Sequence, residues 1–117
     1  MEVQWSKADD GRWCQWDTVE PWHLDGHGVF VIWRNGSGVE VSAVLYVGRG
    51  QLRDEVARCR RTSWFQNPGD LFVTWATIHD VRTVDSIAAY LYRQLRPIWG
   101  EVVPVVPQVP VNLPIRA

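Results

Sequence analysis

Apolar residues along the first half of this chain form two runs that are typical of β-strands. VFVIW at residues 29–33 is β-branched and aromatic throughout, and residues 39–47 have the same character. Such side chains fit the pleated surface of a sheet. RNGSG at residues 34–38 separates the runs, and Asn-Gly accepts the positive φ of a hairpin turn. The pattern predicts an antiparallel hairpin, and Gly48-Arg49-Gly50 reads as a flexible stop after it.

A third strand and two helices follow in the pattern. Residues 71–77, LFVTWAT, predict the strand, after a turn at Pro68-Gly69-Asp70. Apolar positions recur at helical spacing from about residue 51 to 61 and again from 83 to 96. We expect the following residues to face the core: Leu52, Val56 and Cys59 in the first helix; Val84, Ile87, Ala88, Leu91 and Leu95 in the second.

The two ends of the chain differ from this central part. Residues 1–27 are polar and acidic and contain four of the eight tryptophans, which suggests a cover for the core. Residues 101–117 alternate valine with proline, a composition that favours extended structure. So much valine is unfavourable in water, and a strap across the domain is therefore favoured over an exposed ligand. We expect one domain over residues 1–117, of α+β class, with a small three-stranded antiparallel sheet flanked by helices.

The composition and the cysteine count bear on the cellular compartment of the protein. The chain has 117 residues, a formal net charge of −1 and two cysteines, Cys14 and Cys59. Two cysteines without a targeting pattern at the N-terminus do not indicate a disulfide framework. No apolar run approaches the length of a membrane span. We expect a cytoplasmic protein with reduced thiols, and Cys59 is read as a small core residue.

Charge is unevenly distributed and suggests one binding surface. Residues 49–61 concentrate arginine, the side chain best suited to bidentate phosphate contacts. Trp33, Trp64 and Trp75 could stack on nucleobases if they are exposed near these arginines, although core packing is the simpler reading. The arginines could equally be a solvated helix face, with Arg58 pairing Asp54 four residues earlier. The candidate nucleic-acid contacts are Arg49, Arg53, Arg58, Arg60 and Arg61.

The order of elements, together with two short motifs, resembles the GIY-YIG endonuclease domain over residues 28–100. Gly28-Val29-Phe30 stands at the first triplet of that family and Tyr46-Val47-Gly48 at the second, directly before the first helix. AAYLY followed by QLRP, ending at residue 97, resembles its late helix. VTWATI at residues 73–78 and PVNLP at 110–114 are similar to a bacterial group of such domains, and Asn112 stands near the family's late asparagine.

The resemblance implies a one-metal phosphodiester cleavage that uses a tyrosine, an arginine, a histidine and a glutamate bound to magnesium. Phosphoryl transfer requires such compensation of charge. In this chain most of these groups are missing, and only Tyr46 keeps its family identity. The other family positions carry Phe30 for the first tyrosine, Glu55 for the arginine, Cys59 for the histidine and Ala88 for the glutamate.

A rearranged site is the alternative to a lost one. Arg58 follows Glu55 by about one helical turn, and Asp85 precedes Ala88 by the same interval. Tyr46 and Arg58 would then be the catalytic residues, with Asp85 as a magnesium ligand. A second metal site could use His23 and His27, with Cys14 as a third ligand, although the flanking Pro21 and Gly26 indicate a loop.

Three functions follow from these residues. The preferred hypothesis is a catalytically degenerate, nuclease-like module that binds nucleic acid or a protein and needs no cofactor. The second is an active endonuclease with the rearranged site, dependent on Mg²⁺. The third is a protein–protein adaptor with no nucleic-acid role, which the negative charge of Glu55 favours because it repels phosphate.

Overall fold

The computed structural model describes residues 1–35, 41–62, 71–99 and 105–115, and for residues 41 and 42 it describes the backbone alone. The second half of the expected turn at residues 34–38, the turn at residues 68–70, and Trp64 lie outside these ranges. Within them, the chain forms an α+β structure with a single antiparallel sheet.

The sheet has four strands in the described ranges, in the order β1-β4-β2-β3. Their bounds are β1 Cys14–Gln15, β2 His27–Asn35, β3 Val41–Gln51 and β4 Leu71–Thr77. The predicted hairpin is β2 with β3, and the predicted third strand is β4, which pairs with the other side of β2.

Two expectations about the sheet are corrected. The expected three-stranded sheet gains β1, because Cys14 and Gln15 pair with Val73 and Phe72 on the free edge of β4. The expected stop at residues 48–50 is instead part of β3. Gly48 pairs with Phe30 and Gly50 pairs with Gly28, so the ladder continues through the glycines.

Gly48 is required by the ring that faces it across the hairpin. A Cβ at Gly48 would lie 2.1 Å from Cζ of Phe30, far inside any normal contact. The glycines of the two triplet motifs therefore serve packing, because a Cβ at Gly28 would similarly lie 2.0 Å from the carbonyl oxygen of Ala76.

Both predicted helices are present, as α1 Leu52–Arg60 and α2 Val84–Leu95. The side chain of Gln51 caps α1 by accepting a hydrogen bond from the backbone N–H of Asp54 at 2.8 Å. All the predicted core positions of both helices are buried. In the described part of the chain, neither helix has the length and apolar character needed to cross a bilayer.

The sheet separates two hydrophobic clusters. One cluster, here the α1 face, joins Phe30, Tyr46 and Trp75 of the sheet to the buried side of α1 and to Trp16, Val19 and Leu24 before β2. The other, the α2 face, joins alternate sheet residues such as Val29 and Val47 to the buried side of α2. Because strand side chains alternate between faces, Tyr46 and Val47, neighbours on β3, are directed to different clusters.

The described part of the C-terminal tail packs on the α2 face. Val111 and Ile115 are buried there, and the N–H of Val109 donates to the carbonyl of Ser86 on α2 at 3.1 Å. The tail also meets the N-terminal segment. Asn112 accepts a hydrogen bond from the Val3 N–H at 2.7 Å and donates one to the Val3 carbonyl at 3.0 Å.

Candidate functional site

Tyr46 lies on β3 beneath α1 and is only 2% exposed. Its ring is tilted by 35° to that of Phe30, with the centroids 5.7 Å apart. The two aromatic positions of the triplets are thus brought together on the α1 face. At the first position the ring is fully buried and carries no hydroxyl.

Arg58 reaches the hydroxyl of Tyr46 from the last turn of α1. Its Nη2 lies 3.2 Å from the Tyr46 oxygen and 2.7 Å from Oε2 of Glu55, and its Nε lies 3.0 Å from the same carboxylate oxygen. The Glu55 hydrogen bond, and then the Tyr46 hydrogen bond, raise the pKa of Arg58 above its ordinary value. The guanidinium is therefore a fixed cation held between a carboxylate and a phenol.

Glu55 lies in the first turn of α1, close to the end of β3. A Cβ on Gly50 would lie 3.2 Å from Cγ of Glu55, so the carboxylate side chain passes close to the end of the strand. It pairs with Arg58 three residues later, whereas the sequence suggested Asp54 as the partner. Cys59, the residue after Arg58, is buried in the hydrophobic cluster of the α1 face, as its helical spacing predicted.

Asp85 and Ala88 lie on the other face of the sheet. Oδ1 of Asp85 is 2.8 Å from Nε of Arg49, on β3. Ala88 is buried in the cluster of the α2 face. Tyr46 and Arg58 are on the α1 face, so the sheet lies between them and the carboxylate that the rearranged site requires.

The residues present do not fit a magnesium ion beside Tyr46. Glu55, the carboxylate that is there, already holds Arg58, and Asp85 is across the sheet. Across residues 1–35, 41–62, 71–99 and 105–115 no group of three or more His, Cys, Asp or Glu side chains is placed to hold a metal. Among the histidines, Nδ1 of His23 accepts a hydrogen bond from the Glu20 N–H, and His27 is exposed at the start of β2.

Two more of the five candidate arginines bind the N-terminal segment of the chain. Arg53 donates to the carbonyls of Pro21 and Leu24, at 3.1 and 3.4 Å. Arg60 donates to the carbonyls of Trp16 and Val19, and its guanidinium lies 5.2 Å from the centre of the Trp16 ring. Arg49 and Arg58 form ion pairs with Asp85 and Glu55, and the fifth candidate, Arg61, is exposed at the C-terminal end of α1.

A surface cleft of about 910 Å³, which the sequence did not suggest, lies along the N-terminal segment. Trp13, Cys14 and Trp75 are among the residues that line it, and Nζ of Lys7 stands 4.5 Å from the centre of the Trp13 ring. Burial, and then the negative charges of Asp10 and Asp9, raise the pKa of the Cys14 thiol. Asn35, Phe72 and Trp75 of the sheet complete the lining that residues 6–23 begin, so the cleft depends on how the N-terminal segment packs on the sheet and no local motif predicts it.

Comparison with known protein families, with curated proteins and with solved structures finds no match for this chain.

Proposed function

We propose that this chain is a non-catalytic protein-binding module on a scaffold similar to the GIY-YIG endonuclease domain. One observation carries the proposal. The guanidinium nearest Tyr46 is held by Glu55, while the carboxylate needed for a metal, Asp85, is paired with Arg49 on the opposite face of the sheet.

This arrangement is poorly suited to phosphodiester cleavage. A transferring phosphoryl group needs positive charge that is free to bind its oxygens. The Glu55 carboxylate competes for the charge of Arg58 at 2.7 Å. Loss of one electrostatic stabiliser commonly lowers the rate by ~10²–10³, and here Asp85, the carboxylate of the rearranged site, is paired with Arg49 across the sheet from Arg58.

A protein partner is favoured over nucleic acid because of the electrostatics around α1. Arg53 and Arg60 bind carbonyls of residues 16–24, a segment that brings the exposed carboxylates of Asp17 and Glu20 toward the same helix. Phosphate binding depends on the number of arginines and lysines that neutralise the backbone. Nearby carboxylates offset that charge.

Cleavage and binding assays on the whole chain test the proposal. We expect no nicking of supercoiled or branched DNA with Mg²⁺ or Mn²⁺. We also expect no DNA or RNA binding at about 50 mM salt, where a basic surface binds most tightly and from which its affinity would fall steeply toward 200 mM. Arg12→Gln, outside residues 49–61, is the matched control for Arg61→Gln. Nucleic-acid binding that Arg61→Gln weakens and Arg12→Gln does not would make this a nucleic-acid module instead.

The 3.2 Å contact between Arg58 and Tyr46 favours a second candidate, an active endonuclease with the rearranged site. That enzyme would lose metal-dependent cleavage in Tyr46→Phe and Arg58→Ala, and also in Asp85→Ala, while Arg61→Ala would cleave normally. Absence of any cleavage by the wild-type chain, or equal cleavage by wild type and Asp85→Ala, would reject it.

A further inference from the structure

Trp22 is exposed to solvent, whereas every other tryptophan that the structure describes is buried or half-buried. It is 71% exposed, whereas Trp16, Trp33 and Trp75 are at most 7% exposed. An indole is the largest apolar side chain, and exposing it to water is unfavourable unless a partner covers it. Trp is also the residue type most enriched among binding hot spots.

The turn that carries Trp22, residues 20–24 and here called the Trp22 turn, is held in place on both sides. Pro21 opens a single 3₁₀ turn, Pro21–His23. In it the His23 N–H donates to the backbone carbonyl of Glu20 at 2.9 Å, and Nδ1 of His23 accepts from the Glu20 N–H at 3.1 Å. Leu24, the last residue of the Trp22 turn, is 2% exposed and anchors it in the α1 face. The turn is therefore fixed at its end while Trp22 projects from its middle.

Helix α1 adds a second restraint. Arg53 donates from Nε to the carbonyl of Pro21 and from Nη2 to that of Leu24, which bracket Trp22 in the chain. The Trp22 ring itself rests against the His23 ring, with the centroids 5.7 Å apart. Because the backbone on both sides of Trp22 is held, the turn loses little conformational entropy when a partner binds.

The surroundings of the Trp22 turn are acidic. No lysine or arginine occurs from residue 13 to residue 33, and the three carboxylates in that stretch, Asp17, Glu20 and Asp25, are all exposed. Arg53 is the base in contact with the turn, and exposed Asp54 follows it on α1. A partner with positive charge around an apolar contact would match this surface.

We propose that the Trp22 turn is the anchor of the binding surface and that it receives a basic peptide segment of a partner protein, with an apolar pocket or side chain over the indole. This inference rests on the proposed protein-binding function and specifies its site. His23 also lines the 910 Å³ cleft, so a segment bound over Trp22 has a concave surface beside it to enter.

Selection of a displayed random peptide library on the whole chain tests the proposal. We expect the enriched peptides to carry net positive charge and at least one large apolar residue. For one enriched peptide, Trp22→Ala should raise the Kd about thirtyfold or more, the range of a hot-spot residue. Trp22→Lys should weaken it further, because the new charge repels the peptide.

Matched controls separate the anchor from general surface effects. Val81→Ala removes another exposed apolar side chain, 57% exposed and next to α2, and should leave the Kd unchanged within about twofold. Glu20→Gln with Asp25→Asn should raise the Kd and reduce its dependence on salt. Circular dichroism should show that all these variants are folded, since the replaced side chains are exposed.

The outcomes distinguish failure of the site from failure of the function. Enriched peptides that are acidic or neutral, or that bind Trp22→Ala as well as wild type, would overturn the assignment of Trp22 and leave protein binding in place. Failure to enrich any peptide would overturn the anchor. If it were accompanied by binding to nucleic acid at low salt, the proposed function would fall with it.

Discussion

Phe30 shows how packing determines what a single position can carry. Its ring is fully buried, and Cζ occupies the space that a side chain at Gly48 would fill across the hairpin. A hydroxyl added there would need a hydrogen-bond partner inside the α1 face, and an unsatisfied buried hydroxyl costs ~1–3 kcal/mol. Position 30 therefore favours a ring without a hydroxyl.

Tyr46 keeps its hydroxyl, and its partner Arg58 gives that group a structural role. We expect Tyr46→Phe to lower the free energy of unfolding by about 1 kcal/mol, because one hydrogen bond to a half-exposed guanidinium is lost. Urea denaturation of the two chains at neutral pH measures the difference.

Tyr92→Phe is the matched control for Tyr46→Phe. Tyr92 is partly buried on the α2 side of the sheet, so the same change of one oxygen should have a smaller effect there. Equal midpoints for wild type and Tyr46→Phe would show that the contact between Tyr46 and Arg58 contributes no stability.

The extended C-terminal tail contacts the N-terminal segment, and Asn112 makes the hydrogen bonds between them. Its side chain bonds both backbone groups of Val3, and its carbonyl accepts a hydrogen bond from Nε1 of Trp5 at 2.9 Å. An asparagine that the resemblance set beside the family's late asparagine thus acts as a clasp between two segments.

We expect Asn112→Ala to lower the free energy of unfolding by about 1–3 kcal/mol, the sum of two partly buried hydrogen bonds. Hydrogen exchange at the Val3 amide should accelerate at the same time, because its acceptor is removed. Gln108→Ala, at an exposed position of the same segment, should change neither quantity. Unchanged protection of Val3 in Asn112→Ala would contradict the clasp.

At the scale of the whole molecule, the tail belongs to the α2 face, and we expect it to unfold together with the rest of the chain. Deleting residues 105–117 removes the buried side chains of Val111 and Ile115, each worth ~1.5–3 kcal/mol when fully buried. The shortened chain should lose about 3 kcal/mol or more, or fail to fold. Thermal unfolding followed by circular dichroism measures this.

An unchanged melting temperature after that deletion would show that residues 1–104 fold independently of the tail. Unfolding should be followed with two probes: far-ultraviolet circular dichroism for the helices and tryptophan fluorescence for both hydrophobic clusters. Coincident transitions in the full chain would support one cooperative unit over residues 1–117.

Local pattern predicted the elements well where one face of an element is buried. Leu52, Val56 and Cys59 had to lie along one side of a helix, and they do. The pattern failed at β1, because two residues carry no periodicity and their pairing depends on the distant edge of β4. It also failed at residues 48–50, because glycines in a sequence indicate a break. Here Gly48 leaves room for the Phe30 ring on the opposing strand, and Gly50 takes a positive φ of 123° at the end of β3.

The sequence alone determined the α+β class, the two helices, three of the strands and the residues that face the core, since each depends on spacing within one segment. The tertiary structure decided which side of the sheet each candidate residue occupies. Arg58 lies with Tyr46 and Asp85 lies with Arg49 because alternate side chains of β3 are directed to opposite faces. The assignment of each helix to a face of the sheet depends on contacts between distant segments, so no local pattern in the sequence predicts it.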